Sequence, residues 1–399
     1  ALNENLPTST SMTLTGGKIW GEVSESFLSN LKNNLTAGGK TYRPVSLWVN
    51  WPVTDNSKQH LILGGGEKFL HPNVDPSLLS GIMLNPMQQS EPSKIALFSA
   101  AQYGWKQWKS EEEAKKVNDI AFNFVENGKF TDSEASLAFR ELGKHMINQN
   151  MDGRVVKLEE SVELAPKLAT FMSKLKAGQD VSAEREGLRA EFAKLKAAAQ
   201  LYKASGDEKM RAQIHYWLDN TIDQMDALSA LLDGTEAIAT NDSAKLWDSY
   251  YKGLKLYEQS QTHTFHYVDH DEKAELGVQH IRPFLLGLRE ILATEVQKAL
   301  HPDQVISTFI TNRTGVEGGL AEVIDGDLGT HALIKSPNSI KTGDYIGLKF
   351  NKAIPLQNLT FAMGTQANPR DTFNNAKVEY LNENDEWVTL SEPSYTGNE

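Results

Sequence analysis

The stretch Trp48-Val49-Asn50-Trp51-Pro52-Val53-Thr54-Asp55 continues an apolar run, Val45-Ser46-Leu47-Trp48-Val49, that shows little alternation. A strand buried on both faces needs no polar side, so such a run predicts a parallel strand covered on both faces. The run stops at Asn50-Trp51-Pro52 and leaves polar groups just past its carboxyl end. Barrels and open α/β sheets bind ligands at that end, where loops carry side chains on a rigid scaffold. An indole face beside an amide and a carboxylate suits a sugar ring, stacking on it while polar atoms meet its hydroxyls. The same residues admit a plainer reading, in which the tryptophans fill core and Thr54 or Asp55 caps a following helix.

Working outward, Ser11-Met12-Thr13-Leu14-Thr15 reads as a short strand turned by Gly16-Gly17. Val23, Phe27 and Leu31 then recur at helical spacing until Gly38-Gly39. Gly64-Gly65-Gly66 lacks the Lys-Ser/Thr ending of a phosphate cradle and reads as a flexible surface loop. A third run, Ile82-Met83-Leu84, ends at Asn85-Pro86-Met87, and Pro92 opens a helix carrying Ile95, Phe98, Gln102, Trp105 and Trp108. The order of elements gives about three β/α units, too few for a closed barrel of eight.

Beyond Lys109 the pattern becomes amphipathic helix after helix. Thr131 and Glu134 have the spacing of a capping box ahead of Ala135, Ala138, Phe139, Leu142 and Met146. A helix from Ser182 to Ser205-Gly206 and a stripe of Met210, Ile214, Trp217, Thr221, Met225, Leu228 and Leu232, ending at Asp233-Gly234, follow. Segments 245–258 and 278–298 complete a helical bundle placed at 111–301. His263, His266, His270 and His280 lack the His pair with adjacent Glu of a zinc hydrolase helix, so a metal site is not the expectation there. From His301 the period becomes two, in Tyr345–Phe350, Leu359–Met363, Lys377–Leu381 and Trp387–Leu390, which predicts an all-β module over 302–399.

With 399 residues the chain can hold two or three cores, and its 40% hydrophobic and 23% charged content is that of a globular protein. The net charge of -12 leaves no basic stripe for phosphates, which argues against nucleic acid as a partner. No apolar run approaches the roughly 20 residues of a membrane span. The absence of cysteine excludes disulfides, thiolate metal sites and a cysteine nucleophile. Ala1-Leu2-Asn3-Glu4-Asn5-Leu6-Pro7 has neither a basic start nor an apolar core, so no signal peptide is read there. With no initiating methionine either, residue 1 is expected to be an internal point of a longer polypeptide.

Two blocks, Trp48 to Asp55 and Leu84-Asn85-Pro86-Met87 with Glu91-Pro92-Ser93-Lys94-Ile95-Ala96 behind it, resemble glycoside hydrolase family 84. That family holds O-GlcNAcases and bacterial hyaluronidase-like β-N-acetylglucosaminidases, and the resemblance runs from about Met12 to about Leu300. It implies that 1–110 is the C-terminal part of a (β/α)8 barrel, and with the α-helical bundle over 111–301 and an incomplete β-sandwich over 302–399 the chain is expected to be multidomain. It further implies hydrolysis in which the substrate's own acetamide is the nucleophile, an exception to the two-carboxylate scheme, with no catalytic cofactor. Two adjacent aspartates orient the acetamide and act as acid and base in the family. No Asp-Asp pair occurs in this sequence, so the expectation is that the pair lies upstream of this chain, on the N-terminal part of the same catalytic domain.

By the same resemblance, Thr15, Ile19 and Trp48 wall an acetamide pocket, Asn50 and Asp55 meet sugar hydroxyls, and Asn85 completes the set. Gly17 departs from the family, where some relatives carry an acidic residue after the Thr-Gly turn. In the last module, Ile324 to Thr330 and Gly343 to Leu348 resemble a factor 5/8 C-type, discoidin-like sandwich. That resemblance implies a structural calcium at Asp325, Asp327 and Thr330, although Asp-Gly is also among the commonest turn pairs. The appended module suggests a secreted or cell-surface bacterial protein. Three readings of function stand: the C-terminal portion of an exo-acting β-N-acetylglucosaminidase on an N-acetylglucosamine-containing glycan, a non-catalytic carbohydrate-binding fragment acting through the last module, or a helical interaction protein.

Overall fold

A computed structural model of the chain describes residues 5–7, 9–147, 156–300, 305–313, 316–324, 331–334, 340–354, 359, 361–363, 376–382, 384 and 386–391. Its contacts fall into two units, Ala1–Arg289 and Glu290–Glu399.

The first unit opens with β1 (Thr13–Leu14), β2 (Val45–Pro52) and β3 (Leu79–Asn85), a parallel sheet in that order. Parallel neighbours need crossovers, and α1 (Glu25–Thr36) supplies the first. The Ser24 hydroxyl accepts from the Phe27 N–H at its start, and Gly38 and Gly39 take left-handed backbone beyond its end. The second crossover contains α2 (Gly66–Phe69) and a 3-10 turn at Pro76–Leu78.

Strand β2 departs from the sequence reading in a way that matters for the site. Val45, Leu47, Val49 and Trp51 are buried, while Ser46 and Asn50 are half-buried and Trp48 is exposed. The strand is therefore covered on one face, where Trp51 stacks on Phe69 at 6.1 Å, and open on the other. The glycine run is also not a flexible surface loop. Gly64 and Gly66 are buried, the Gly64 carbonyl accepts from Trp51 Nε1 at 3.0 Å, and a Cβ on Gly66 would stand 2.9 Å from Trp51 Cη2. Glycine is needed there because an indole occupies the space a side chain would take.

After β3 the unit is helical: α3 (Ser90–Trp105), α4 (Glu111–Asn127), α5 (Glu134–Gly143), α6 (Ala165–Lys176), α7 (Ser182–Ser205), α8 (Glu208–Thr240) and α9 (Ser243–Ser260). The stripe from Met210 to Leu232 is buried along α8. Each such aliphatic side chain contributes roughly 1.5–3 kcal/mol. Helix α8 does not end at Asp233-Gly234, because Arg185 Nε donates to Thr235 Oγ1 at 3.0 Å and Arg189 pairs with Asp233, so contacts from α7 carry it onward. Trp105 also leaves the expected stripe and is 90% exposed, whereas Trp108, beyond the helix, is buried. The box at α5 is formed by Ser133 and Ser136, not by Thr131 and Glu134. A hairpin of β4 (Thr264–Tyr267) and β5 (His270–Lys273) precedes α10 (Ile281–Leu300).

In the second unit the described strands form antiparallel pairs: β6 (Ser307–Thr311) with β9 (Ile346–Phe350), β7 (Val316–Glu317) with β8 (Leu333–Ile334), and β10 (Val378–Leu381) with β11 (Trp387–Ser391). Helix α11 (Leu320–Ile324) lies between β7 and β8 in sequence. Leu359 and 361–363 are not strand. The calcium residues Asp325, Asp327 and Thr330 lie outside the described residues. Among the described residues, no group of acidic or histidine side chains is arranged for a metal, and no helix is long and apolar enough to cross a membrane.

Candidate functional site

The carboxyl ends of β2 and β3 do not run in simple register. Val49 pairs with Leu84, but the next pairing is Pro52 with Asn85, so β2 carries extra residues, Asn50 and Trp51, at its end. Such a bulge interrupts the ladder at the end of β2, while the two indoles, three residues apart, fall on opposite faces by the ordinary alternation of a strand. Trp51 goes into the core. Trp48 remains 40% exposed on the open face of the sheet.

Asn50 joins three parts of the chain. Its Oδ1 accepts from Trp48 Nε1 at 2.6 Å and from Asn85 Nδ2 at 3.1 Å, and its Nδ2 donates to the Ile19 carbonyl at 2.5 Å. One amide side chain thus fixes the plane of an exposed indole and ties the ends of β2 and β3 to the loop after β1. That loop holds its own shape through close backbone approach. A Cβ on Gly16 would meet Glu22 O at 2.2 Å, and one on Gly21 would meet Gly16 C at 2.5 Å. The Ile19 side chain is 55% exposed beside this network.

The structure thus brings Ile19, Trp48, Asn50 and Asn85 together. Thr15 is half-buried at the end of β1, where its carbonyl accepts from Gly17 N at 2.8 Å, and its side chain is not part of the network. Asp55 is exposed on the loop leaving β2, and its carboxylate takes no hydrogen bond among the described residues. Its negative charge is felt by Tyr267, whose hydroxyl is pushed above the ordinary range by burial first, then by Asp55 and Glu272. A carboxylate acceptor and amides with spare donor capacity suit hydroxyl recognition, and the indole offers an apolar face beside them.

Behind the loop lies a group that no sequence signal announced. His60 and Glu160 are fully buried, their Nδ1 and Oε2 atoms 4.0 Å apart and without another hydrogen-bond partner among the described residues. Burial, with the Arg282 charge, lowers His60 to about 4. Glu160 rises to about 8, through burial and Glu275 against a backbone hydrogen bond from Gln279. Both shifts favour the neutral form, as burial of an ionisable side chain does.

The family model of NAGidase, beta-N-acetylglucosaminidase, matches residues 1–142, the segment that contains the sheet and the network just described. Among solved structures, CpGH84D is similar at 26% identity with a TM-score of 0.64, over 72% of this chain and 46% of that one. CpGH84B gives 22% identity and a TM-score of 0.56 over 72% of this chain and 46% of its own, a likeness of fold. The O-GlcNAc hydrolase of Thermobaculum terrenum, as a mutant, is similar in fold at 18% identity and a TM-score of 0.56, over 76% of this chain and 59% of that one. The chain thus spans less than two thirds of the length of each of these structures. By these matches, residues 1–142 are similar to the NAGidase family model, and the chain is similar in fold to glycoside hydrolases of family 84.

Proposed function

We propose that this chain supplies the sugar-recognition part of a retaining β-N-acetylglucosaminidase that releases terminal β-linked N-acetylglucosamine from glycans or modified proteins. The observation that carries this reading is the shared Asn50 amide, which holds an exposed indole and a second amide on one open sheet edge within the matched segment. In this reading β1 to β3 are the last strands of a (β/α)8 barrel, with the open face of β2 turned to its interior. Trp48, Ile19 and Thr15 wall the acetamide, while Asn50, Asn85 and Asp55 take the hydroxyls. An acetamide held against an indole has little freedom, so its oxygen can be kept near the anomeric carbon, where the substrate acts as its own nucleophile. The acid and base come from an aspartate pair on the N-terminal part of the same catalytic domain, since no Asp-Asp pair exists here.

The reading is tested with a chromogenic N-acetylglucosaminide. The expected result is no turnover by this chain alone, and hydrolysis when it is combined with the N-terminal part of the domain. Turnover by the chain alone contradicts the placing of the acid and base. A combined sample that neither binds nor cleaves the glycoside removes the assignment.

A further inference from the structure

The hairpin of β4 and β5 comes from the helical part of the first unit yet leans on the loops that carry the candidate site. Its root is fixed on α8: Phe265 is buried 4.6 Å from the Trp217 ring, and His263 Nε2 pairs with Asp223 at 2.7 Å. Its far part meets the loop after β2. Gln59 Nε2 donates to Glu272 Oε2 at 2.8 Å, Lys58 Nζ lies 3.3 Å from His270 Nε2 and 3.6 Å from Glu272, and the same ammonium stands 5.0 Å from the Tyr267 ring centroid. It also meets the loop after β3, where Gln88 Nε2 donates to the His266 carbonyl at 3.1 Å. Lys58 and Gln88 each follow a site residue, Asp55 and Asn85, by three positions.

The tip is constrained. Tyr267 faces His270 in the register, Asp269 N donates back to Tyr267 O at 2.6 Å, and Val268 between them sits at φ 54. A β-branched residue rarely adopts left-handed backbone, so the rest of the hairpin holds it there. Val268 is nonetheless 77% exposed and contributes little to any core.

We propose that this hairpin is the wall closing the outer-hydroxyl side of the sugar site, with Tyr267 and Val268 excluding a second sugar attached there. The inference rests on the proposed reading of the site and adds the origin of its preference for a terminal residue. The sheet order puts Ile19 on the β1 flank, whereas the hairpin touches the loops after β2 and β3. A pyranose with its acetamide toward Ile19 and Trp48 directs C4 and C6 away from them, toward Asp55 and the hairpin beyond. Specificity built this way is steric exclusion of the wrong ligand, not added attraction for the right one.

The test compares N-acetylglucosamine with N-acetyllactosamine, in which a galactose blocks O4 of the same sugar, as ligands of the full 399-residue chain. Affinities are measured by NMR titration for wild type, Tyr267→Ala and Val268→Gly. Wild type is expected to prefer the free monosaccharide at least tenfold. Tyr267→Ala is expected to narrow that preference to about threefold or less while leaving N-acetylglucosamine within about twofold of wild type. A merely structural role for the hairpin weakens both ligands together and overturns the proposal, as does an unchanged ratio in both variants. Val268→Gly alters only the exposed tip, and its ratio decides the matter if Tyr267→Ala does not fold. Wild type that binds the monosaccharide without preference removes the wall but leaves the site, whereas wild type that binds neither ligand removes both.

Discussion

Asn50 Oδ1 accepts a hydrogen bond from Asn85 Nδ2 at 3.1 Å, although 35 residues separate the two amides. The same oxygen holds Trp48 Nε1, so one acceptor fixes the indole and the end of β3 together. A network with a single shared atom fails as a unit when that atom is removed. Asn50→Ala leaves two donors without a partner and is expected to cost about 1–2 kcal/mol of stability. It should weaken N-acetylglucosamine binding by roughly tenfold or more, because the ring face is no longer held. Asn50→Asp keeps the acceptor and loses only the donation to Ile19 O, so its loss of binding should be smaller. Urea denaturation and ligand titration of both variants check the order.

The second prediction concerns the floor beneath the bulge. A Cβ on Gly66 would stand 2.9 Å from Trp51 Cη2 and 3.2 Å from Trp51 Cζ2, and that indole is fully buried. Gly66→Ala is expected to destabilise the protein by about 1–3 kcal/mol through overpacking. Gly104, near the end of α3, has nothing within 4 Å of an added Cβ. Gly104→Ala should therefore stabilise by about 0.5–1 kcal/mol, by removing freedom from the unfolded chain. Opposite shifts in denaturation midpoint are the readout, and equal shifts would show that Trp51 does not depend on Gly66.

The sequence made some of this legible because the relevant physics is local. The apolar runs ending at Asn50 and Asn85 are strands in the structure, and the stripe from Met210 to Leu232 faces a core. Which tryptophan is exposed was not legible, since alternation puts Trp48 and Trp51 on opposite faces without saying which face later segments cover. Gly64 to Gly66 looked like a surface loop because glycine carries no sign of the indole that packs on it. The hairpin at 264–273 was hidden for a similar reason. His266, His270 and Glu272 are polar, and their partners Gln88, Lys58 and Gln59 lie more than 170 residues away.

Acidity and stability are coupled through the buried pair. Glu160 has its folded pKa raised to about 8, so the stability its burial allows is fully present below the unfolded value of 4.5 and is lost as pH rises toward 8. His60 has its folded pKa lowered to about 4 from 6.5, so the unfolded chain binds a proton that the folded chain does not, and stability rises from pH 4 to 6.5. The two oppose each other below 6.5, and only Glu160 acts between 6.5 and 8. Stability should therefore fall over that upper window, with a limiting slope of about 1.4 kcal/mol per pH unit. Glu160→Gln, which cannot ionise, should flatten that limb. Urea midpoints at pH 6.5 and 8 decide it, and a slope that survives in Glu160→Gln places its source elsewhere.

The last prediction separates two candidate caps that lie two residues apart. Ser133 Oγ accepts from Ser136 N at 3.1 Å, and Ser136 Oγ accepts from Ser133 N at 2.9 Å, so each hydroxyl satisfies an amide at the start of α5. Thr131 and Glu134 have the sequence spacing of a box, but Glu134 is already the first helical residue. Ser136 is buried, and its hydroxyl also donates to the Ser133 carbonyl at 3.0 Å. Ser133→Ala should cost about 1 kcal/mol, the usual value of an N-cap. Thr131→Ala, at an exposed residue outside the helix, should stay within about 0.5 kcal/mol of wild type. Because α5 buries Phe139 and Leu142, fraying at its start should also speed exchange of the Ser136 and Leu137 amides. Hydrogen exchange that quickens in Thr131→Ala and not in Ser133→Ala would return the cap to the position its spacing suggests.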